Sequence, residues 1–140
     1  MQTEAPTGET EAPLNEVQYY RRRLAVLCQG LGMEVGPLHA RTQGILKDST
    51  VLYTDRETRE QLVARYKNDE GVPEDLIAPT DIVADGAYLP LRDGALDFVI
   101  ANHVIEHLPD PVAAITSWRR VLKPGGRLVF SDWIAGPDLR

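Results

Sequence analysis

The sequence is poor in the residues that mark several common classes of protein. Cys28 is the one cysteine in 140 residues, so the chain cannot form an internal disulfide framework, and a reducing cytoplasmic setting fits. No apolar run approaches the ~20 residues that span a bilayer, and the amino terminus lacks the basic start and apolar core of a signal peptide. Basic residues are the minority, because 15 Lys and Arg face 21 Asp and Glu. The composition therefore argues against a membrane protein and against a general nucleic-acid binder.

The apolar and polar patterns predict one folded domain behind a tail. Residues 1–13 are rich in Thr, Glu, Pro and Gly, which predicts a disordered tail. Residues 14–140 are predicted to form a single domain, which opens with a helix capped by Asn15 and running to about Gly30. Tyr20, Leu24, Leu27 and Leu31 give this helix an apolar face.

Five short apolar runs, most of them ending in polar residues, are predicted to be strands. They cover residues 33–36, 51–54, 82–84, 96–101 and 127–130. Helical patterns lie between them at residues 56–67 and after Asp110-Pro111, which supply an N-cap and a first-turn proline. Pro124-Gly125-Gly126 predicts the end of that helix, whereas no full helix is predicted over residues 37–49. The alternation predicts an α/β fold with a doubly wound, mostly parallel sheet, whose ligands bind beyond the carboxyl ends of the strands.

The motifs between residues 81 and 133 resemble the second half of a class I S-adenosylmethionine-dependent methyltransferase. They are Asp85 with Leu89-Pro90, Asp97-Phe98-Val99-Ile100, Glu106-His107-Leu108 with Asp110-Pro111, and Arg120-Val121-Leu122-Lys123-Pro124-Gly125-Gly126. Earlier in the chain, Glu34-Val35-Gly36-Pro37 is similar to the subgroup whose first motif reads Glu-hydrophobic-Gly-Pro. The resemblance implies a Rossmann-like methyltransferase fold and S-adenosylmethionine as cofactor.

A complete domain of this family continues with two further strands. The resemblance therefore implies a chain truncated after the fifth strand and lacking the last two. A bare strand edge invites pairing, so a homodimer through the exposed fifth-strand edge is a further expectation.

The resemblance also implies a set of cofactor-binding residues: Glu34, Gly36, Asp55, Arg56, Asp85, Gly86 and Asn102. Asp55 would accept hydrogen bonds from both ribose hydroxyls, and Asp85 would accept one from the adenine amino group. Each aspartate has a local alternative, because Asp55 could cap the helix that follows and Asp85 could form an Asx turn.

Two histidines follow the fourth strand in the order His103-Val104-Ile105-Glu106-His107. This order matches the His-x-x-Glu-His pattern of inverted zinc peptidases. Pro109 and Pro111 cut the segment short of the long helix that a metal site there would need, so no metal is predicted. His103 and then His107 are the candidates for a general base, with His39 a third.

The predicted activity is transfer of a methyl group to a small-molecule acceptor, achieved mainly by aligning the acceptor with the sulfonium methyl. A nicotinamide dehydrogenase is excluded because Gly30, Gly32 and Gly36 are mis-spaced for a dinucleotide fingerprint. The alternative is a catalytically inactive, methyltransferase-like binding or scaffold subunit.

Overall fold

The computed structural model describes residues 15–42, 46 and 48–131, so the predicted tail lies outside the described residues. Five strands form one sheet in the order β3-β2-β1-β4-β5, and every neighbouring pair is parallel. The strands are β1 (Leu31–Val35), β2 (Thr50–Asp55), β3 (Ile82–Val83), β4 (Leu96–Asn102) and β5 (Leu122–Ser131). The predicted parallel α/β sheet is confirmed.

Within the described residues, three helices accompany the sheet: α1 (Glu16–Leu27), α2 (Arg59–Arg65) and α3 (Pro111–Val121). Two 3₁₀ turns, Glu74–Leu76 and Ile105–His107, lie in the connections. No helix in the described part of the chain is long and apolar enough to cross a membrane.

The central strands are buried on both faces, which explains their continuous apolar runs. Met33, Val99 and Trp118 belong to a cluster that joins one face of the sheet to α3. Leu24, Phe98 and Ile100 belong to a second cluster that joins the opposite face to α1. The sheet is therefore a central layer with a helix on either side, as a doubly wound fold requires.

The amino-terminal starts of α1 and α3 follow the sequence signals closely. The Asn15 side chain accepts a hydrogen bond from the backbone of Gln18, whose own side chain returns one to Asn15, and this capping box begins α1. Asp110 caps α3 by accepting from Ala113 N at 2.9 Å, with Pro111 at the first helical position. However, α1 ends at Leu27, so Leu31 begins β1 and does not belong to the apolar face of the helix.

The second helix is shorter than predicted. Thr58 caps α2 through a capping box with Gln61, so residues 56–57 form a link between β2 and the helix cap. The predicted alternative in which Asp55 is the helix cap is therefore wrong. As predicted, the described part of residues 37–49 contains no helix.

The Pro124-Gly125-Gly126 run turns the chain inside β5 instead of before it. Leu122 pairs with Leu96 directly after α3, and the next pair along the strands is Arg127 with Phe98. Residues 123–126 therefore lie opposite the single residue Asp97 and form an irregularity, in which Gly125 adopts φ +77. β5 is the edge strand of the described sheet; pairing of that edge with a second copy stays a prediction.

Candidate active site

The carboxyl ends of β1, β2 and β4 meet at a cavity of about 930 Å³, here called the main cavity. Its volume lies within the range of small-molecule sites. Its wall contains predicted site residues from all three strand ends and the loops after them: Glu34, Gly36, His39, Asp55, Arg56, Asn102, His103 and His107. The structure thus brings these residues together at the sheet edge where α/β proteins bind ligands.

A second cavity of about 190 Å³, here called the small pocket, adjoins the main cavity. Five residues line both: Gly36, Asp55, Arg56, His103 and His107. The rest of its wall is mainly apolar and includes Val35, Ala84, Gly86, Val104 and Leu108. A wide space that contains most of the charged side chains thus adjoins a narrow, mainly apolar one, and Asp55 lies where they meet.

Glu34 places a buried carboxylate in the wall of the main cavity. Its side chain is 2% exposed, and Oε2 accepts hydrogen bonds from Thr42 N at 2.9 Å and Thr42 Oγ1 at 2.8 Å. Burial raises the pKa of Glu34, and the two hydrogen bonds oppose that rise. A carboxylate held in this way gains from a positively charged ligand group, which would offset the cost of burying its charge.

The loop after β1 is held in an uncommon backbone conformation. Gly36 has φ +57 and Leu38 has φ +47. Both values lie in the left-handed region of backbone conformation, which residues other than glycine rarely adopt. Hydrogen bonds from Gly36 N to Thr54 O (2.8 Å) and from Ala78 N to the Leu38 carbonyl (2.7 Å) fix the loop at both ends. Backbone strain of this kind collects at functional sites, and here it lies in the cavity wall.

His39 follows in the same loop and also lines the main cavity. Its Nδ1 is buried and has no hydrogen-bond partner among the described residues. A buried polar atom without a partner costs free energy, so a ligand or water that bonds to Nδ1 would be favoured at this point.

Asp55 is half-buried at the end of β2. Its Oδ1 accepts from Glu57 N at 3.4 Å, which is a long hydrogen bond, and burial raises the pKa of the carboxyl group. Since Thr58 caps the helix, the Asp55 carboxylate does not serve as the cap, and Asp55 lines both cavities.

Asp85 and Gly86 lie in the loop after β3. Asp85 Oδ1 accepts from Ala87 N at 2.9 Å, so the predicted Asx turn is present, and Asp85 Oδ2 lies 4.0 Å from the guanidinium of Arg56. Ala84 and Gly86 line the small pocket, whereas Asp85 lies between them without lining either cavity. A Cβ on Gly86 would lie 3.0 Å from Val35 Cγ1, so glycine keeps the pocket open there.

Helix α3 holds this loop through three polar side chains, of which those of Ser117 and Trp118 are buried. Trp118 is fully buried, and its Nε1–H donates to the Gly86 carbonyl at 2.8 Å. Ser117 Oγ accepts from Leu89 N at 3.0 Å, and Arg120 donates to the carbonyls of Leu89 and Leu91 at 2.8 and 2.7 Å. The wall of the small pocket at Gly86 is therefore bonded to the buried core between α3 and the sheet.

His103 and His107 flank one carboxylate. Glu106 Oε1 lies 4.0 Å from His103 Nδ1 and 3.8 Å from His107 Nε2. The segment forms a 3₁₀ turn, so the helix geometry of an inverted zinc peptidase is not present. Within residues 15–42, 46 and 48–131, no group of three or more His, Cys, Asp or Glu side chains could hold a metal ion.

Asn102 has two partners that the sequence did not indicate. Tyr20 Oη donates to Asn102 Oδ1 at 3.0 Å, and Ser131 Oγ donates to the same oxygen at 3.0 Å. Tyr20 figured in the sequence only as part of an apolar helix face. No local pattern signals a hydrogen bond between residues 82 positions apart.

Comparison with known proteins gives a consistent family. The profile of the family described as "Methyltransferase domain" matches residues 30–130. The chain is 44% identical over 50 residues to an arsenite methyltransferase from Aquipseudomonas alcaligenes, covering 36% of this chain and 14% of that protein. It is 41% identical over 55 residues to 27-O-demethylrifamycin SV methyltransferase from Amycolatopsis mediterranei, covering 39% and 20%.

A solved structure shares the fold. The SAM-dependent methyltransferase from Aquifex aeolicus superposes with a TM-score of 0.57 at 20% identity, covering 81% of this chain and 63% of that one. The chain thus spans less than two thirds of each of these three proteins. The family match covers most of the chain and coincides with the sheet and both cavities, so the chain belongs to the class I S-adenosylmethionine-dependent methyltransferases.

Proposed function

We propose that the chain binds S-adenosylmethionine across the two cavities and transfers its methyl group to a small-molecule acceptor. The observation that carries this proposal is the arrangement of Glu34, Asp55 and the small pocket along one continuous site. An adenine ring suits the narrow apolar pocket, the ribose would lie at Asp55, and the ammonium of the amino-acid end would lie at Glu34. Gly36 and Gly86 leave the room that such a ligand needs.

The bound cofactor would supply a sulfonium-activated methyl group, and the chain's own residues would do the rest. Asp55 and Glu34 would anchor the two ends of the ligand, which fixes the reacting carbon relative to the main cavity. Gly36 and Leu38, fixed by hydrogen bonds at both ends of the loop, would keep that wall of the cavity rigid.

The base that we propose for an acceptor hydroxyl or protonated amine is His103. It lines both cavities, so its imidazole is within the space where an acceptor would lie. When the imidazole takes up the acceptor's proton, the nearby Glu106 carboxylate at 4.0 Å would stabilise the charge that forms. His107, the more exposed of the two, would replace it less well.

The similarities do not identify the acceptor, because the two named relatives act on an arsenic compound and on a rifamycin. Arsenic(III) is bound by thiolates, and this chain's one cysteine, Cys28, is buried beneath α1 away from both cavities. Burial raises the Cys28 pKa to about 11, which disfavours the thiolate. The described walls of the two cavities therefore offer no thiolate to arsenic(III), whereas a base at His103 would serve an oxygen or nitrogen acceptor.

Titration calorimetry of the purified chain tests the cofactor part of the proposal. Binding of S-adenosylmethionine and S-adenosylhomocysteine at one site per chain is the expected result. A well-folded sample that binds neither would refute the proposal and return the inactive scaffold alternative, which the family match does not favour.

A further inference from the structure

The amide of Asn102 is fixed by hydroxyl groups from two distant elements. Its Oδ1 accepts one hydrogen bond from Tyr20 on α1 and one from Ser131 at the end of β5, both at 3.0 Å. An amide oxygen has two lone pairs, so these two donors satisfy it. The N–H donors of the Asn102 amide then remain for the main cavity, which Asn102 lines.

Tyr20 is well placed to act on Asn102, because α1 is anchored immediately behind it. Leu24 lies one helical turn further on and is 1% exposed, and Cys28 follows at 0%. The same residues pack on Phe98 and Ile100 of β4, the strand that ends at Asn102. The phenol is therefore held against the end of β4 by the packing of its own helix.

The charges nearby indicate which part of a ligand this end of the cavity would receive. Burial raises the pKa of Tyr20, the hydrogen bond to Asn102 opposes the rise, and the negative charge of Glu34 adds to it. Glu34 and Asn102 line the same cavity, and Glu34 pairs with Ile100, which lies two residues before Asn102 on the neighbouring strand. An amino-acid group has both an ammonium, which Glu34 can bind, and a carboxylate, which needs N–H donors.

We propose that Tyr20 and Ser131 are positioning residues that orient the Asn102 amide so that its N–H groups bind the carboxylate of the cofactor's amino-acid end. This inference rests on the proposed function, since it concerns the same site. It adds α1 and the end of β5 to the cofactor site.

Two ligands separate this role from a general structural one. S-adenosylhomocysteine has the amino-acid end, whereas 5′-methylthioadenosine has the same adenosine and thioether without it. In calorimetry, Tyr20→Phe and Ser131→Ala should each weaken the binding of S-adenosylhomocysteine roughly 2- to 12-fold, which is the range of one net hydrogen bond. Neither variant should change the binding of methylthioadenosine.

Asn102→Asp tests the direction of the amide. Aspartate keeps an oxygen for both hydroxyls but replaces the N–H donors with a second negative oxygen. This variant should therefore weaken the binding of S-adenosylhomocysteine more than Tyr20→Phe does, and the binding of methylthioadenosine should again be unaffected. If the Asn102 oxygen instead faced the ligand's ammonium, this variant would bind as tightly as the native chain or more tightly, and the inference would be overturned.

Tyr19→Phe is the matched control, because it removes the neighbouring hydroxyl on the same helix. Tyr19 is 57% exposed, and the guanidinium carbon of Arg23 lies over its ring, 5.9 Å from the ring centroid. This variant should bind both ligands normally. Equal weakening of both ligands by Tyr20→Phe, or no effect on either, would refute the positioning role while leaving the proposed function intact. Failure of the native chain to bind either ligand would refute both.

Discussion

Asp55→Asn should separate cofactor binding from folding. The native carboxylate accepts local backbone hydrogen bonds, of which the one from Glu57 N is long at 3.4 Å, and the amide oxygen of asparagine can retain them. What asparagine cannot retain is a charged acceptor for two ribose hydroxyls. Loss of a hydrogen bond to a charged group costs about 1.5–3 kcal/mol, so S-adenosylhomocysteine affinity should fall roughly 10- to 150-fold.

The same substitution should leave the free energy of unfolding unchanged or higher at neutral pH. Burial raises the pKa of Asp55 above its usual 3.8, which means that the folded chain holds the ionised form at a cost. A neutral side chain of the same shape removes that cost. Residues that bind a ligand at the expense of stability behave in this way.

Calorimetry for affinity and urea unfolding for stability measure the two effects on one sample. Glu60→Gln, an exposed position in the first turn of α2, controls for the loss of one negative charge near the site. Native affinity in Asp55→Asn would refute the ribose assignment. Weaker binding together with a clear loss of stability would show instead that Asp55 supports the fold.

Three other substitutions give equally direct tests. Trp118→Phe leaves the buried Gly86 carbonyl without its 2.8 Å hydrogen-bond donor. The free energy of unfolding in urea should fall by about 1–3 kcal/mol, and calorimetry should show weaker binding of S-adenosylhomocysteine. Unchanged stability would mean that the hydrogen bond contributes nothing. Because the folded-state pKa of Glu34 is raised above 4.5, the folded chain binds the extra proton, and its stability should fall as pH rises from about that value through the folded pKa. Glu34→Gln should lack this part of the pH dependence, and parallel curves for the two proteins would contradict the assignment. With a hydroxyl acceptor, His103→Ala should lower kcat roughly 100- to 10,000-fold while S-adenosylhomocysteine binds normally in calorimetry; an unchanged kcat would exclude His103 as the base.

The helices and strands could be predicted from local signals, because each signal depends on residues a few positions apart. Asp110 followed by Pro111 predicts the start of α3, and the apolar runs predict the five strands of a parallel sheet. The parallel arrangement then brings the strand ends together, which is why Glu34, Asp55 and Asn102 could be expected in one site.

What the sequence did not predict depends on contacts over long distances or on competition between similar local signals. Asp55 and Thr58 are both good helix caps, and only the capping box with Gln61 decides in favour of Thr58. The bond from Tyr20 to Asn102 spans 82 positions and exists only once α1 has packed on the sheet. The left-handed conformation of Leu38 has no sequence signal, because leucine rarely adopts it.

Trp118 has a consequence for how such a chain can change in evolution. One side chain fills the core between α3 and the sheet, and the same side chain fixes a carbonyl in the wall of the small pocket. A substitution that repacks the core around the indole will therefore also shift the wall of the small pocket. Mutations that raise stability will then be retained only if the ligand still fits. Related sequences should then vary at Trp118 and at its pocket neighbours together, so that change at one position is accompanied by change at the others.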